Sequence, residues 1–291
     1  MSREIEFKKV RDFGEIINDT FLFIRQNVKP LLSVFFYLCG FFILAGTVAS
    51  IMHEMSMQNA PELQSGPFSS RNFSDILNWN YFVVVFISLG SYAAITVSVL
   101  SFIALYIQKG KVAPSVEEVW AYFKYYYFRT FFSSIAVGIF ICIAFVCCIF
   151  PGFYVWPAMC LFYPIMILEN ANFDYSFSRS FKLLKDRWWT TAAVILVIYV
   201  ITYSCMMIPV IPGLLFTMMG TFFPEAKEWN ILGIVIGAIL ANFTYVFMII
   251  PVVGITLCYF NLVEVQESAG LMDRINQFGE EKNEKTGLEE Y

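Results

Sequence analysis

Long apolar runs with no charged residue constrain this chain more than any other feature. Each has 16 residues or more, and in order they cover Leu31–Met52, Tyr81–Ile107, Phe131–Phe150, Phe153–Leu168, Thr190–Met219 and Ile231–Val263. A helix of about 20 apolar residues crosses the hydrocarbon core of a bilayer. Only 14% of the chain is charged and 58% is hydrophobic, whereas soluble domains are roughly 25% charged. We therefore predict an all-α, polytopic integral membrane protein with six transmembrane helices in three hairpins.

Prolines are expected to shape several of these spans. Pro151 and Gly152 separate the third run from the fourth, and they predict a tight turn at that point. Pro209 and Pro212 lie inside the fifth run, and Pro251 lies inside the sixth. Because proline removes a backbone donor and clashes with the preceding turn, we expect each of them to break or kink its helix.

The basic residues are distributed unevenly over the connecting segments. One side of the predicted membrane holds 17 lysines and arginines, namely those of residues 1–30, 108–130, 169–189 and the C-terminal segment, and the other side holds only Arg71 and Lys227. Positive residues accumulate in cytoplasmic loops. We expect a cytoplasmic N-terminus over 1–30, a membrane domain over 31–265 and an extracytoplasmic loop over 53–80. Residues 266–291 are acidic and lack an apolar period, which predicts a largely disordered cytoplasmic tail.

Basic and aromatic residues alternate at helical spacing just before some of the spans. Five apolar residues fall within one narrow face of a helix over 173–189, and the same spacing occurs 160 residues earlier in the N-terminal segment; the two stripes are Phe173, Phe177, Phe181, Leu184 and Trp188, and Phe13, Ile17, Phe21, Ile24 and Val28. A looser stripe covers 115–130, where Ser115 and Glu118 form a potential capping box. These patterns predict amphipathic interfacial helices on the cytoplasmic side. The alternative is that they are connectors with a solvated basic face.

Membrane lipids with anionic headgroups are the partners that these segments favour, because cationic side chains beside interfacial aromatics contact such lipids. The candidate headgroup contacts are Arg25, Lys29, Arg179, Lys182, Lys185, Arg187 and Trp188. Glu169 ends the fourth span and could form a structural ion pair with Arg179.

Small and amide side chains in the sixth span predict helix packing. Gly233, Gly237 and Ala241 recur every four residues, and Asn242 follows them. Such a face lets two helices approach closely, either within one chain or in a homo-oligomer, and an amide can bond across the contact.

The sequence offers no set of residues for catalysis, for a cofactor or for a metal. Its one histidine, His53, lies at the edge of a span, and the middles of the runs contain neither acids nor bases. General acid–base chemistry and ion-coupled transport are therefore disfavoured. No basic nucleic-acid-binding module is apparent either.

One segment, "FPGFYVWPAMCLFYPIMILENANFDYSFSRSFKLLKDRWWTT", resembles a bacterial polytopic family related to the membrane domain of glycerophosphoryl diester phosphodiesterase. The residues in register are Pro151, Gly152, Pro164, Glu169, Arg179, Ser180, Leu183, Lys185 and Trp188. Asp186 and Phe177 depart from the pattern, which has glycine and a small residue there. The resemblance implies a stand-alone protein without the catalytic barrel, in the bacterial inner membrane.

These observations lead to three functional expectations. The first is a non-enzymatic membrane scaffold or envelope-homeostasis factor with lipid-contacting surface helices. The second is an uncoupled transporter or flippase for an apolar or lipid-like substrate, with the proline-containing fifth and sixth spans as moving parts. The third is an enzyme that acts on lipid headgroups.

Overall fold

The computed structural model describes residues 5–58, 79–147, 149–222 and 227–267, and in these ranges the chain is helical with no strand. Nine α-helices and one 3₁₀ turn follow in order: α1 Phe13–Gln26, α2 Val28–Gln58, α3 Trp79–Gln108, α4 Val116–Cys147, α5 Ile149–Leu168, α6 Phe173–Leu184, α7 Trp188–Phe222, α8 Lys227–Phe243, the 3₁₀ turn Thr244–Met248 and α9 Ile249–Glu267. Six segments are long and apolar enough to span a membrane. The predicted all-α, six-span architecture is therefore confirmed.

Two spans form the centre of the bundle. The spans at Phe150–Leu168 and Ile231–Glu267 have 72% of their most apolar window buried, whereas those at Val116–Cys147 and Trp188–Met219 have 28% and 22%. Helix α9 packs against α1, α3, α5, α6 and α7. The peripheral helices α4 and α7 present apolar side chains outward, as expected where lipid replaces water.

The third span begins earlier than the sequence predicted. Helix α4 runs without a break from Val116 to Cys147, so residues 115–130 are not a separate interfacial helix. The predicted capping box is present: the Ser115 amide donates to Glu118 Oε2 at 2.8 Å, and the Glu118 amide donates to Ser115 Oγ at 3.4 Å. Once started, the helix meets no proline before its end, and this explains its continuity.

The break predicted at Pro151 is present but lies a few residues upstream, and of the predicted break or kink at Pro209 and Pro212 the break does not occur. Helix α4 ends at Cys147 and α5 begins at Ile149, so Pro151 and Gly152 lie in the first turn of α5 rather than between the helices. A proline is tolerated there because the first-turn amides have no intrahelical acceptor. Helix α7 contains both Pro209 and Pro212 in its interior and still continues to Phe222.

The sixth span is interrupted, but upstream of its proline. The 3₁₀ turn over Thr244–Met248 separates α8 from α9, and Pro251 lies in the first turn of α9. Proline has no amide hydrogen to donate to the carbonyl four residues earlier and its ring crowds that carbonyl. Here that carbonyl belongs to Phe247, inside the 3₁₀ turn. The expected break is therefore present and shifted by one turn.

Helices α1 and α6 occupy equivalent places before α2 and α7. The faces that pack into the bundle are Ile16, Asp19, Thr20 and Phe23 in α1, and Ser176, Ser180, Leu183 and Leu184 in α6. Most of these correspond at the same 160-residue offset as the predicted stripes. Apart from Leu184, which is buried, the stripes lie on neighbouring faces and stay partly exposed, with 45% of Phe13 and 36% of Phe173 accessible. Helix α6 ends at Leu184, so Trp188 belongs to α7 and not to the predicted helix over 173–189.

Two predicted regions lie largely outside the described residues. Of the loop predicted over 53–80, helix α2 includes residues up to Gln58 and α3 begins at Trp79. The acidic tail predicted over 266–291 begins within α9, which ends at Glu267, and its later residues are not described.

Candidate functional site

Polar side chains gather at one end of the bundle, which we call the basic end and define by residues 5–29, 179–191 and 258–267. The N-terminal segment folds across this end and buries Ile5 and Phe7. The ring of Phe7 lies 5.5 Å from that of Phe260 and 6.2 Å from that of Tyr106. The described part of this segment, from Ile5 onward, therefore belongs to the packed structure.

A buried ion pair holds this segment in place. Arg11 Nε donates to Asp19 Oδ2 at 2.8 Å, and the two side chains are 1% and 5% exposed. The same guanidinium donates to the carbonyls of Phe7, Lys9 and Glu6, and the Arg11 amide donates to Asn261 Oδ1 at 2.8 Å. The sequence analysis missed this pair. The sequence offered little signal for it, since Asp19 lies two residues from both Ile17 and Phe21 of the apolar stripe of α1.

A second charged cluster ties α5, α6 and α9 together. Arg179 Nε donates to Glu169 Oε1 at 2.9 Å, so the ion pair suggested by the sequence is formed. Arg179 also reaches Glu267 at 2.8 Å, and Tyr259 donates to Glu169 at 2.8 Å. The hydrogen bond to Glu267, followed by the one to Glu169, raises the pKa of Arg179 above its ordinary value. The cluster is closed on itself and acts as a structural clamp.

The end of α5 positions Glu169 for this cluster. Asn170 adopts a left-handed conformation with φ 48°, and the Ala171 amide donates to the Met166 carbonyl at 3.1 Å. This arrangement ends a helix cleanly. Arg129 of α4 donates to the Ala171 carbonyl and fixes the turn from outside.

The predicted headgroup contacts fall into three groups. Arg25, Lys29 and Lys182 are exposed on α1, α2 and α6. Arg179 is only 14% exposed and is committed to two carboxylates, so its prediction as a headgroup contact is wrong. The remaining residues lie together in and after the turn between α6 and α7: Lys185, Arg187 and Trp188.

That turn borders a wide groove between α5 and α7, which we call the lateral groove. Its volume is about 1140 Å³, and its walls are mainly aromatic and small apolar residues; its lining is Phe150, Phe153, Tyr154, Trp156, Pro157, Lys185–Thr190, Ala192, Ala193, Leu196 and Val197. The polar residues are confined to the end at the turn. Trp188 is fixed there because its indole donates to the Tyr154 carbonyl at 3.0 Å and stacks on the Tyr154 ring at 5.8 Å.

A smaller pocket of about 150 Å³ lies at the basic end beside the groove. Its walls are Arg11, Asp12, Phe13 and Ile16 from the N-terminal segment and α1, Arg187, Thr190, Thr191 and Val194 around the start of α7, and Cys258 and Asn261 from α9. Arg187 and Thr190 line both this polar pocket and the lateral groove. The two cavities therefore share one wall.

A third cavity lies in the middle of the bundle, next to the broken sixth span. The positions that the centre of a water molecule can take in it fill about 20 Å³. Its lining includes Tyr92, Thr96, Tyr163, Tyr199 and Pro251. Thr96 Oγ1 is buried without a hydrogen-bond partner among the described residues. A cavity of this size is large enough for one water molecule.

The small residues of the sixth span pack within the chain. A Cβ on Gly233 would lie 2.6 Å from the Thr217 backbone nitrogen, and one on Gly213 would lie 2.5 Å from Gly237 Cα. These positions form the crossing of α7 and α8. Asn242 Nδ2 donates to Ser50 Oγ of α2 at 3.4 Å, and the Ala241 carbonyl accepts from Thr244 Oγ1.

Two arrangements that would have signalled transport or catalysis do not occur among the described residues. Asn242, Thr202 and Ser98 line none of the three cavities above. They bond instead to Ser50, to the Ile198 carbonyl and to Cys39. Glu169 and Arg179 close on Glu267 and do not converge with Lys185 on a pocket. In the described ranges no three His, Cys, Asp or Glu residues are placed to hold a metal.

No family model matches the chain, and searches of curated proteins and of solved structures gave no match. The resemblance drawn from the sequence therefore stays a prediction based on its own residues.

Proposed function

We propose that the protein is a non-enzymatic membrane scaffold that gathers anionic lipid around its surface helices. The observation that carries this proposal is that α1 and α6 are anchored in the bundle by one face while their aromatic stripes stay partly exposed. Exposed cations lie beside those stripes, at Arg25 and Lys29 and at Lys182. Aromatic rings suit the interface, and lysine and arginine suit anionic headgroups.

The intramolecular packing supports a scaffold over a carrier. Helices α7 and α8 cross at glycine-to-backbone distance, and the Glu169–Arg179–Glu267 clamp joins three helices. A closely packed bundle resists the large rearrangements that alternating access requires. An envelope-homeostasis role and a homo-oligomer are compatible with this proposal.

The proposed location is a bacterial inner membrane with both termini in the cytoplasm. The presence of 17 basic residues on one side and two on the other supports the orientation. The family resemblance supports the bacterial inner membrane as the location.

A labelling experiment tests the orientation. Single cysteines are introduced at Lys182 and at Ser65 in a variant that lacks the native cysteines. A membrane-impermeant thiol reagent added to intact cells is expected to label position 65 and to spare position 182. The reverse pattern would invert the topology.

Lipid selectivity tests the scaffold proposal. In vesicles that contain the protein, spin-labelled phosphatidylglycerol is expected to associate more strongly than phosphatidylcholine. Replacing Arg25, Lys29 and Lys182 together by glutamine should lower this preference several-fold, because each surface cation contributes about 1 kcal/mol to anionic-lipid attraction. Added salt should lower it as well.

The matched control replaces the two cations of the opposite side, Arg71 and Lys227, and should leave the preference unchanged. An unaltered preference in the triple variant would contradict the role of the surface helices.

The break in the sixth span favours a second candidate, an uncoupled flippase for a lipid-like molecule. Interrupted spans beside a midplane cavity are common in transporters, and the 3₁₀ turn and Pro251 adjoin such a cavity. Its size admits a water molecule and not a lipid. Faster exchange of labelled lipid between the leaflets of protein-containing vesicles than of empty ones would favour this candidate over the scaffold.

A further inference from the structure

We propose that the lateral groove and the adjoining polar pocket together bind one anionic glycerophospholipid, with its phosphate at Arg187 and an acyl chain along the groove. This inference deepens the proposed function and rests on it, because it adds one defined lipid site to general contact at the surface helices.

The groove has the form of an acyl-chain site. Its volume of about 1140 Å³ lies above the range of roughly 300–1,000 Å³ that is common for small-molecule pockets. Away from the turn, its walls are rings and short aliphatic side chains, among them Phe153, Trp156, Ala193 and Leu196. These side chains face the outside of the bundle, since Phe153 is 56% exposed and Leu196 is 50% exposed. A chain can therefore enter from the bilayer without crossing the protein.

The polar end has the form of a headgroup site. Arg187 and Thr190 belong to the linings of both cavities, so a headgroup at the polar end of the groove meets the same Arg187 that lines the pocket. The wall is also the start of α7, a 35-residue helix. The partial positive charge at a helix start adds to that of Arg187.

An unpaired cation at the junction favours an anion, while the formal charges there are equal in number, with Lys185 and Arg187 against Asp12 and Asp186. Arg11 is neutralised by Asp19, and Asp12 caps the first turn of α1 in a capping box with Glu15. Asp186 is flanked in the chain by the cations Lys185 and Arg187. Arg187 is exposed and has no carboxylate within salt-bridge distance among the described residues. The guanidinium of Arg187 is thus the unpaired cationic group that lines both cavities, with Lys185 beside it in the groove. A guanidinium binds phosphate oxygens in pairs.

The site is largely formed before a lipid arrives. Trp188 is held by its bond to the Tyr154 carbonyl and by stacking on that ring, and Tyr154 in turn stacks on Phe181 at 6.5 Å. A fixed aromatic wall loses little side-chain entropy on binding. This favours one retained lipid over loose, exchanging contact.

Native mass spectrometry of the full chain in mild detergent tests the site. The protein is loaded with phosphatidylglycerol or with phosphatidylethanolamine of identical acyl chains, and retained lipid is counted. Wild type is expected to retain one phosphatidylglycerol. Ala193→Trp fills the groove from an exposed position, and Arg187→Gln removes the cation; each should lower occupancy about tenfold, since a hydrogen bond to a charge and a filled groove each contribute at least that much.

Matched controls separate the site from general effects. Val200→Trp adds the same ring at an exposed position of α7 outside the groove. Lys124→Gln removes an exposed cation of α4 that lies outside both cavities and outside the proposed headgroup contacts. Both should retain lipid as wild type does. If Ala193→Trp fails to fold, Arg187→Gln still decides the outcome.

Three results would overturn the inference: no lipid retained by wild type, equal retention by all five proteins, or equal retention of the two lipids. The lipid selectivity measured in vesicles shows whether the defined lipid site fails alone or the scaffold proposal fails with it. If Arg25, Lys29 and Lys182 still determine selectivity while no lipid is retained, only the defined site fails. If selectivity is lost as well, the scaffold proposal fails with it.

Discussion

Replacing Gly233 by alanine is expected to lower the free energy of unfolding by about 1–3 kcal/mol, the usual range for overpacking. The added Cβ would lie 2.6 Å from the Thr217 backbone nitrogen and 2.7 Å from Thr217 Oγ1. Backbone on the facing helix cannot turn aside as a flexible side chain can, so α7 and α8 would have to separate. Titration with denaturing detergent in mixed micelles measures the change.

Gly138→Ala is the control, because it makes the same change in a spanning helix where the new Cβ meets nothing within 4 Å. Alanine is the better helix former, so this variant should be more stable by roughly 0.5–1 kcal/mol. The changes that the two variants cause in the free energy of unfolding should therefore have opposite signs. If Gly233→Ala were as stable as Gly138→Ala, the close crossing of α7 and α8 would be contradicted.

The spans could be predicted from the sequence because a bilayer imposes its thickness on any chain that crosses it. The uncharged runs at Tyr81–Ile107 and Thr190–Met219 each lie within one spanning helix. The ends of the helices were less predictable, because the local sequence signals for starting and stopping a helix compete with one another. Pro151 predicted a break at its own position, and the break lies upstream, between Cys147 and Ile149. The predicted boundary between residues 130 and 131 is absent, because no proline interrupts α4 between 116 and 147.

The faces of the surface helices show why periodicity is only a partial guide. The apolar stripe of α6 was readable from Phe173, Phe177 and Phe181, yet the helix buries its neighbouring face at Ser176 and Ser180. In a membrane, small residues allow close packing while large apolar ones can remain in lipid. The most apolar face is therefore not the face that packs most closely.

The candidate site was predictable in its residues but not in its shape. Lys185, Arg187 and Trp188 were recognised from composition. Their arrangement around a groove depends on Phe153 and Trp156, which lie some thirty residues earlier, and on the path of the chain between α5 and α7. Arg179 shows a case in which the sequence suggested two different roles, a headgroup contact and an ion pair with Glu169. Its second ion pair, with Glu267 of α9, assigns it to the Glu169–Arg179–Glu267 clamp.

The buried pair of Arg11 and Asp19 should be the most sensitive polar contact in the protein. Replacing Asp19 by asparagine is expected to lower the free energy of unfolding by about 3–5 kcal/mol, because it leaves an uncompensated charge in a buried place. The three backbone carbonyls that Arg11 also contacts supply only partial charges. The N-terminal segment should detach first, which faster hydrogen exchange and easier proteolysis over residues 5–12 would reveal.

Two comparisons separate this effect from a general loss of charge. Glu15→Gln breaks an exposed ion pair, in which the side chain of Lys9 is 38% accessible and that of Glu15 is 42% accessible. This change should lower the free energy of unfolding by less than about 1 kcal/mol. The double variant Arg11→Met with Asp19→Leu removes both charges and should recover most of the lost stability, since apolar residues of similar volume often replace a buried pair without penalty. A double variant as unstable as Asp19→Asn would instead show that the hydrogen bonds of Arg11 to the segment, and not the uncompensated charge, hold the segment against α9.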